Sequence, residues 1–136
     1  MRTLILAGGS GGLGSAVARL ASERGFKPVI GYLRNKDRAE ALAAELSALT
    51  VAGDIAEPAV RERLIQAARN AGELYGLAVL SGDPARVPIE KATMEDLLAS
   101  TRVNFAGPVL MARDFVAALG DEDGAAGPAG HGVAGL

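Results

Sequence analysis

The sequence predicts an α/β fold, a doubly wound parallel sheet with helices on both faces. Three observations carry this. Four short apolar runs, at residues 3–7, 28–33, 49–52 and 77–80, are bounded by turn residues, the pattern of strands buried on both faces. Each run is followed by a longer stretch with helical character. The alternation of strand and helix calls for parallel pairing through right-handed crossovers.

The first run, Thr3-Leu4-Ile5-Leu6-Ala7, stops at Gly8-Gly9. It is too short for the apolar segment of a secretion signal and reads as a buried strand. Residues 13–24 place Leu13, Ala16, Val17, Leu20 and Ala21 on one helical face, and Gly25 ends that helix. Pro28 opens the second strand, where a missing N–H costs least. Residues 37–46 are strong helix formers. After the short third strand, residues 57–71 form a third helix with Pro58 in its first turn. The fourth strand ends at Ser81-Gly82-Asp83-Pro84. Thr93 then caps a helix whose first acids, Glu95 and Asp96, suit its positive end. With Glu90 and Lys91 they read as a solvated helix start. Apolar periodicity continues to Leu119, and Pro108 is predicted to kink or split this helix. From Gly120 onward Gly, Ala and Pro dominate, so residues 120–136 are predicted to be a flexible tail on a domain spanning 1–119.

A chain of 136 residues suggests one domain, and 49% hydrophobic with 22% charged residues is an ordinary globular balance. The net charge of -2, without a basic run, argues against nucleic acid or an anionic membrane as partner. No apolar run approaches the ~18–20 residues that span a bilayer. With no cysteine there is no disulfide, thiol nucleophile or thiolate metal site, which suits a reducing cytoplasm. His131 is the single histidine, so no metal is expected.

Chemistry is concentrated in Ala7-Gly8-Gly9-Ser10-Gly11-Gly12-Leu13-Gly14, between the first strand and first helix. A dinucleotide site needs a tight turn out of the strand (Gly8), unobstructed approach of backbone to pyrophosphate (Gly12) and close helix–strand packing (Gly14). Free N–H groups and the helix dipole then meet the phosphate charge, and Ser10 adds a hydroxyl donor. The strand–loop–helix context raises the pattern above a bare glycine motif. A Walker-type loop is excluded, because Ser15 stands where its lysine is required. At the end of the second strand, where an acid would bind the ribose 2′-hydroxyl of NAD, the sequence reads Tyr32-Leu33-Arg34-Asn35-Lys36. Arg34 and Lys36 suit a 2′-phosphate and favour NADP over NAD, against the plainer reading of a solvated basic turn.

These residues resemble the short-chain dehydrogenase/reductase family. The glycine loop is similar to its T-G-x-x-x-G-x-G, with Ala7 in place of threonine. Residues 31–40 resemble the matching segment of NADPH-dependent 3-oxoacyl-carrier-protein and acetoacetyl-CoA reductases. The resemblance implies that Asp54, beside Ile55, hydrogen-bonds the adenine amino group. It places Ala78-Val79-Leu80-Ser81-Gly82 at the family's N-N-A-G, with both asparagines replaced and Ser81 and Gly82 as a small-residue platform. Asn104 falls on the asparagine of the catalytic tetrad. The family's serine and Tyr-x-x-x-Lys lie beyond this chain. Tyr32 and Lys36 copy the spacing at the adenosine end, away from the nicotinamide, and are rejected as catalytic; Tyr75 is assigned to packing.

The resemblance implies a Rossmann-type sheet, of strand order 3-2-1-4-5-6 when complete. Truncation after the helix following the fourth strand leaves that strand as an exposed apolar edge, predicting marginal stability and self-association. Three functions follow as expectations. The first is the NADP(H)-binding portion of an oxidoreductase acting on a small ketone or secondary alcohol. The second is a non-catalytic NADP-binding module. The third is a subunit completed by a partner chain that supplies the remaining strands; a homo-oligomer is compatible with any of the three readings.

Overall fold

The computed structural model describes residues 1–84, 86–123 and 132–135. Strand β1 (Arg2–Ala7) leads into helix α1 (Gly12–Glu23), then β2 (Lys27–Tyr32), α2 (Lys36–Leu46), β3 (Leu49–Ala52), α3 (Pro58–Ala71) and β4 (Glu73–Val79). A short 3₁₀ turn at Ile89–Lys91 precedes α4 (Met94–Thr101), a π-helical turn (Arg102–Ala106), α5 (Gly107–Asp123) and β5 (Gly132–Gly135). The strands form one sheet in the order β3-β2-β1-β4-β5, every pairing parallel. This is the doubly wound, Rossmann-like sheet predicted from the alternation.

Burial follows the two-residue period of a strand covered on both faces. Ile5 and Ala7 of β1 join Val29 of β2 and Leu77 of β4 in a cluster covered by Leu64 of α3 and Met111 and Phe115 of α5. Leu6 faces the other way, onto Ala18, Ile30 and Leu42 under α1 and α2. The first cluster is locked by a buried ion. Arg61 of α3, 3% exposed, pairs with Asp114 of α5 at 2.6 Å. Its Nη1 also donates to the carbonyls of Ile55 and Ala56, both at 2.9 Å, so one guanidinium joins two helices to the loop after β3.

Helix ends carry their own signals. Asn35 caps α2 by accepting from the Arg38 N–H at 3.1 Å. Thr93 and Asp96 form a reciprocal capping box on α4. The interruption predicted at Pro108 falls just before it, as the π turn at Arg102–Ala106. Pro108 lacks an N–H and cannot donate to the carbonyl of Asn104, so the regular ladder fails there.

The predicted tail differs from the structure in two places. Helix α5 continues through Gly120 to Asp123, absorbing a glycine penalty of about 1 kcal/mol. Residues 132–135 pair with Gly76, Leu77, Ala78 and Val79 as β5. Parallel pairing uses backbone groups alone, so it left no side-chain period to read. It also covers Gly76 to Val79 of the β4 edge that was expected to lie bare, and makes β5 the edge strand on that side. Residues 124–131, His131 among them, lie outside the described residues. The fourth strand starts at Glu73, four residues before its predicted start, and so includes Tyr75. Tyr75 stacks on Phe26 (centroids 5.2 Å apart) beneath the Arg2 guanidinium.

Candidate functional site

The five strands among the described residues run the same way, so their C-terminal ends share one rim of the sheet. Between β1 and β4 the strand order reverses, and connections leave to opposite faces, opening a crevice at the rim. A cleft of about 480 Å³ lies there. Its walls are the β1–α1 loop (Gly8, Ser10, Gly11), the end of β2 (Gly31 to Asn35), the turn after β3 (Gly53 to Ile55), the segment after β4 (Leu80 to Asp83), and Val103.

The glycine loop is drawn tightly onto the sheet. Gly8 N–H donates to Gly31 O at 3.0 Å, and Leu80 N–H to Ala7 O at 2.7 Å. A Cβ on Gly8, whose φ is +84°, would lie 2.5 Å from the Ser81 nitrogen. A Cβ on Gly14 would lie 2.3 Å from Gly8 O. Only glycine lets strand end, loop and helix approach this closely. Gly12 is different, since a Cβ there would meet nothing within 4 Å. The Ser15 hydroxyl bonds Gly11 O at 2.6 Å, bracing the loop from inside the helix. Helix α1 has Gly11 at its N-cap, with no side-chain cap and no acid in its first turn. Its N–H groups and dipole end are therefore left uncompensated by the chain at the mouth of the cleft.

The residues expected at the adenosine end separate into different roles. Tyr32, Arg34 and Asn35 line the cleft, but the Asn35 side chain is spent as the α2 cap. Lys36 lies along α2, 3.6 Å from Glu40. Arg34 has no ion pair among the described residues, leaving its guanidinium available to the cleft. Asp54 and Ile55 line the wall after β3. Asp54 Oδ1 accepts from Ala56 N–H at 2.9 Å, and Oδ2 from Arg102 Nε at 3.2 Å. Leu13, 58% exposed, belongs with Gly12 and Gly14 to the first turn of α1 and not to the cleft wall.

Asn104 sits on the π turn, and its amide clamps the segment after β4. Its Oδ1 accepts from Asp83 N–H at 2.8 Å, and its Nδ2 donates to Asp83 O at 2.7 Å. A third bond, from Nδ2 to Ser100 Oγ at 3.1 Å, ties the amide to α4. Gly82 fits under this amide, 3.2 Å from Oδ1 had it a Cβ. Ser81 lines the cleft, and its Oγ is buried without a hydrogen-bond partner among the described residues. Sequence reasoning missed Arg102 and Asp83. The Arg102-x-Asn104 spacing was legible, but only folding brings the β3 turn beneath it. Among the described residues no helix is long and apolar enough to cross a membrane, and no group of acids and histidines is placed to hold a metal.

Comparison with known proteins agrees with this architecture. Residues 2–127 match the short chain dehydrogenase family. The 3-oxoacyl-[acyl-carrier-protein] reductase of Bos taurus is 32% identical over 109 residues, 78% of this chain and 46% of the bovine protein. A phenolphthiocerol/phthiocerol polyketide synthase component of Mycobacterium tuberculosis is 39% identical over 75 residues, 50% of this chain and 3% of that protein. A Serratia marcescens short-chain dehydrogenase/reductase mutant superposes with a TM-score of 0.76 at 23% identity, over 85% of this chain and 49% of its own. The serine dehydrogenase of Escherichia coli superposes with a TM-score of 0.77 at 21% identity, over 99% of this chain and 61% of its own. At these identities the structural likeness speaks for the fold. This chain thus spans about half the length of the bovine reductase, 46%. With a match over nearly its whole length, a Rossmann-like sheet and a glycine loop at the head of α1, the chain belongs to the short-chain dehydrogenase family.

Proposed function

We propose that this chain is the NADP(H)-binding portion of an oxidoreductase that exchanges hydride between the cofactor and a small ketone or secondary alcohol. The observation that carries the reading is the uncapped N-terminus of α1, opening on the cleft beside an Arg34 guanidinium without an ion-pair partner among the described residues. Gly8, Ser10, Gly12, Leu13 and Gly14 would receive the pyrophosphate. Arg34, with Tyr32, Asn35 and Lys36 around it, would meet the 2′-phosphate, and of the two cations Arg34 is the better placed. Asp54 and Ile55 would hold the adenine, and Ser81 and Gly82 would floor the cleft. The cofactor supplies the hydride; the chain binds and orients it. Asn104 is the tetrad member present, and it holds the backbone at Asp83.

A second reading is a dinucleotide-binding module without chemistry of its own, or one completed by a partner chain. One observation favours it. Tyr32 is the tyrosine at the cleft, and its sequence partner Lys36 is turned toward Glu40, so no Tyr–Lys pair adjoins the cleft among the described residues.

Titration of the chain with NADPH and NADH, followed by reduced-nicotinamide fluorescence, tests the cofactor assignment. Tight NADPH binding, lost in Gly12→Asp, supports it. Arg34→Glu should cost NADPH at least about tenfold more affinity than NADH, the worth of one charge-assisted pair. Equal losses would refute the 2′-phosphate assignment, and no binding by folded chain would refute the cofactor site. Carbonyl-dependent oxidation of NADPH separates the two functional readings.

A further inference from the structure

The Arg102 guanidinium, half-exposed near the cleft, is held by two carboxylates. Its Nε donates to Asp54 Oδ2 at 3.2 Å, and its Nη2 to Glu57 Oε1 at 2.5 Å. Those two acids flank the turn between β3 and α3, which is braced by Glu57 N–H to Asp54 O at 2.9 Å. Backbone packing makes the same connection. A Cβ on Gly107 would lie 3.1 Å from the Ile55 side chain, so the helix sits directly on this turn. The π turn thus reaches two walls of the cleft, through Arg102 to Asp54 and through Asn104 to Asp83.

Arg102 does not line the cleft, whereas Asp54 does. Arg102 therefore reaches the cleft wall through its hydrogen bond to Asp54. An ionised carboxylate offers about four lone-pair sites. Ala56 N–H takes one on Oδ1 and Arg102 one on Oδ2, fixing the carboxylate while leaving acceptor capacity on both oxygens. The turn also carries two acids beside a cleft proposed to take a polyanion, and Arg102 offsets part of that charge. Hydrogen bonding to Asp54 raises the Arg102 pKa, with Glu57 adding to it, so the guanidinium stays charged.

We propose that Arg102 is a positioning residue for purine recognition: by bridging Asp54 and Glu57 it presents the Asp54 carboxylate as a fixed acceptor for the exocyclic amine of adenine. This rests on the assignment of the cleft to a dinucleotide. It predicts discrimination between NADPH and its hypoxanthine analogue, which carries a carbonyl where adenine carries the amine. A carboxylate facing that carbonyl gains no hydrogen bond and meets a second acceptor.

The test is parallel fluorescence titration of the unsubstituted chain, Arg102→Met and Arg102→Lys with both dinucleotides, with folding checked by far-UV circular dichroism. The unsubstituted chain should prefer the adenine form by about tenfold, the worth of a hydrogen bond to a charged group. In Arg102→Met the preference should collapse to about twofold or less, because the carboxylate, held by the Ala56 N–H alone, no longer has Oδ2 fixed. Arg102→Lys keeps the charge but not the two-armed reach, so it should fall between; it also serves if Arg102→Met does not fold. Weaker binding of both forms at an unchanged ratio would make Arg102 merely structural and overturn the proposal. Tight NADPH binding without preference in the unsubstituted chain would overturn the proposal and leave the cofactor assignment standing. Failure of the folded, unsubstituted chain to bind either form would overturn both.

Discussion

Two glycines in one helical turn should respond oppositely to the same added methyl group. In Gly14→Ala the new Cβ would stand 2.3 Å from Gly8 O and 2.6 Å from Gly9 Cα. That is more than about 1 Å short of van der Waals contact. The opposing atoms are backbone, held by the Gly8 and Gly9 hydrogen bonds to Gly31 O, and cannot swing aside as a side chain would. The cost belongs at the upper end of the overpacking range, about 3 kcal/mol. With a urea m-value of about 2 kcal/mol/M, the midpoint should fall by about 1–2 M. In Gly12→Ala the Cβ meets nothing within 4 Å, and the backbone is already helical. Stability should stay level or rise by up to about 1 kcal/mol, as alanine loses less entropy than glycine on ordering. NADPH affinity should nevertheless fall if, as proposed, the pyrophosphate approaches through that empty space. Urea denaturation followed by circular dichroism, paired with NADPH titration, reads both effects. A Gly14→Ala chain as stable as the parent would refute the packing argument. A Gly12→Ala chain binding NADPH unchanged would refute the assignment of that space to phosphate.

Other perturbations have definite signs. Arg61→Met removes a cation 3% exposed, leaves Asp114 with Arg113 as its remaining cation and takes the donor from two carbonyls; urea denaturation should show a loss of about 3 kcal/mol, the lower end for a broken buried pair. Burial pushes the Asp114 carboxyl up, but bonds from Arg61 and Arg113 outweigh it and hold the pKa below the ordinary carboxylate value. Its stabilisation is therefore complete above the unfolded pKa of about 3.9 and is lost as pH falls through the lower folded value. Urea midpoints measured from neutral to acid pH should fall in that window, and Asp114→Asn should flatten this part of the fall. Ser81→Ala removes a buried hydroxyl without a partner among the described residues, so thermal melting should show no loss and a gain of up to about 1 kcal/mol. Thr93→Ala breaks the capping box and should cost about 1 kcal/mol, read as faster amide exchange in the first turn of α4.

Composition and periodicity were enough to establish the fold class, and the glycine motif to point to the candidate site. Strands buried on both faces must be apolar throughout, and crossover helices must carry a three- to four-residue period, so β1 to α3 were legible along the chain. The glycine loop was legible because close approach at Gly8 and Gly14 excludes every side chain, which leaves glycine as the visible trace. The rest came from packing. Strand β5 pairs through backbone groups, which no side-chain pattern announces. Asn35 and Lys36 were indistinguishable in sequence from ligands of a phosphate. Folding spends one as a helix cap and turns the other toward Glu40, leaving Arg34 as the available cation. Arg102 and Asp54 stand 48 residues apart, and only the packing of the π turn onto the β3–α3 turn makes them one unit. Local periodicity records what a residue does for its own helix or strand. A contact between distant segments depends on how those elements stack, and it leaves no mark on either segment alone.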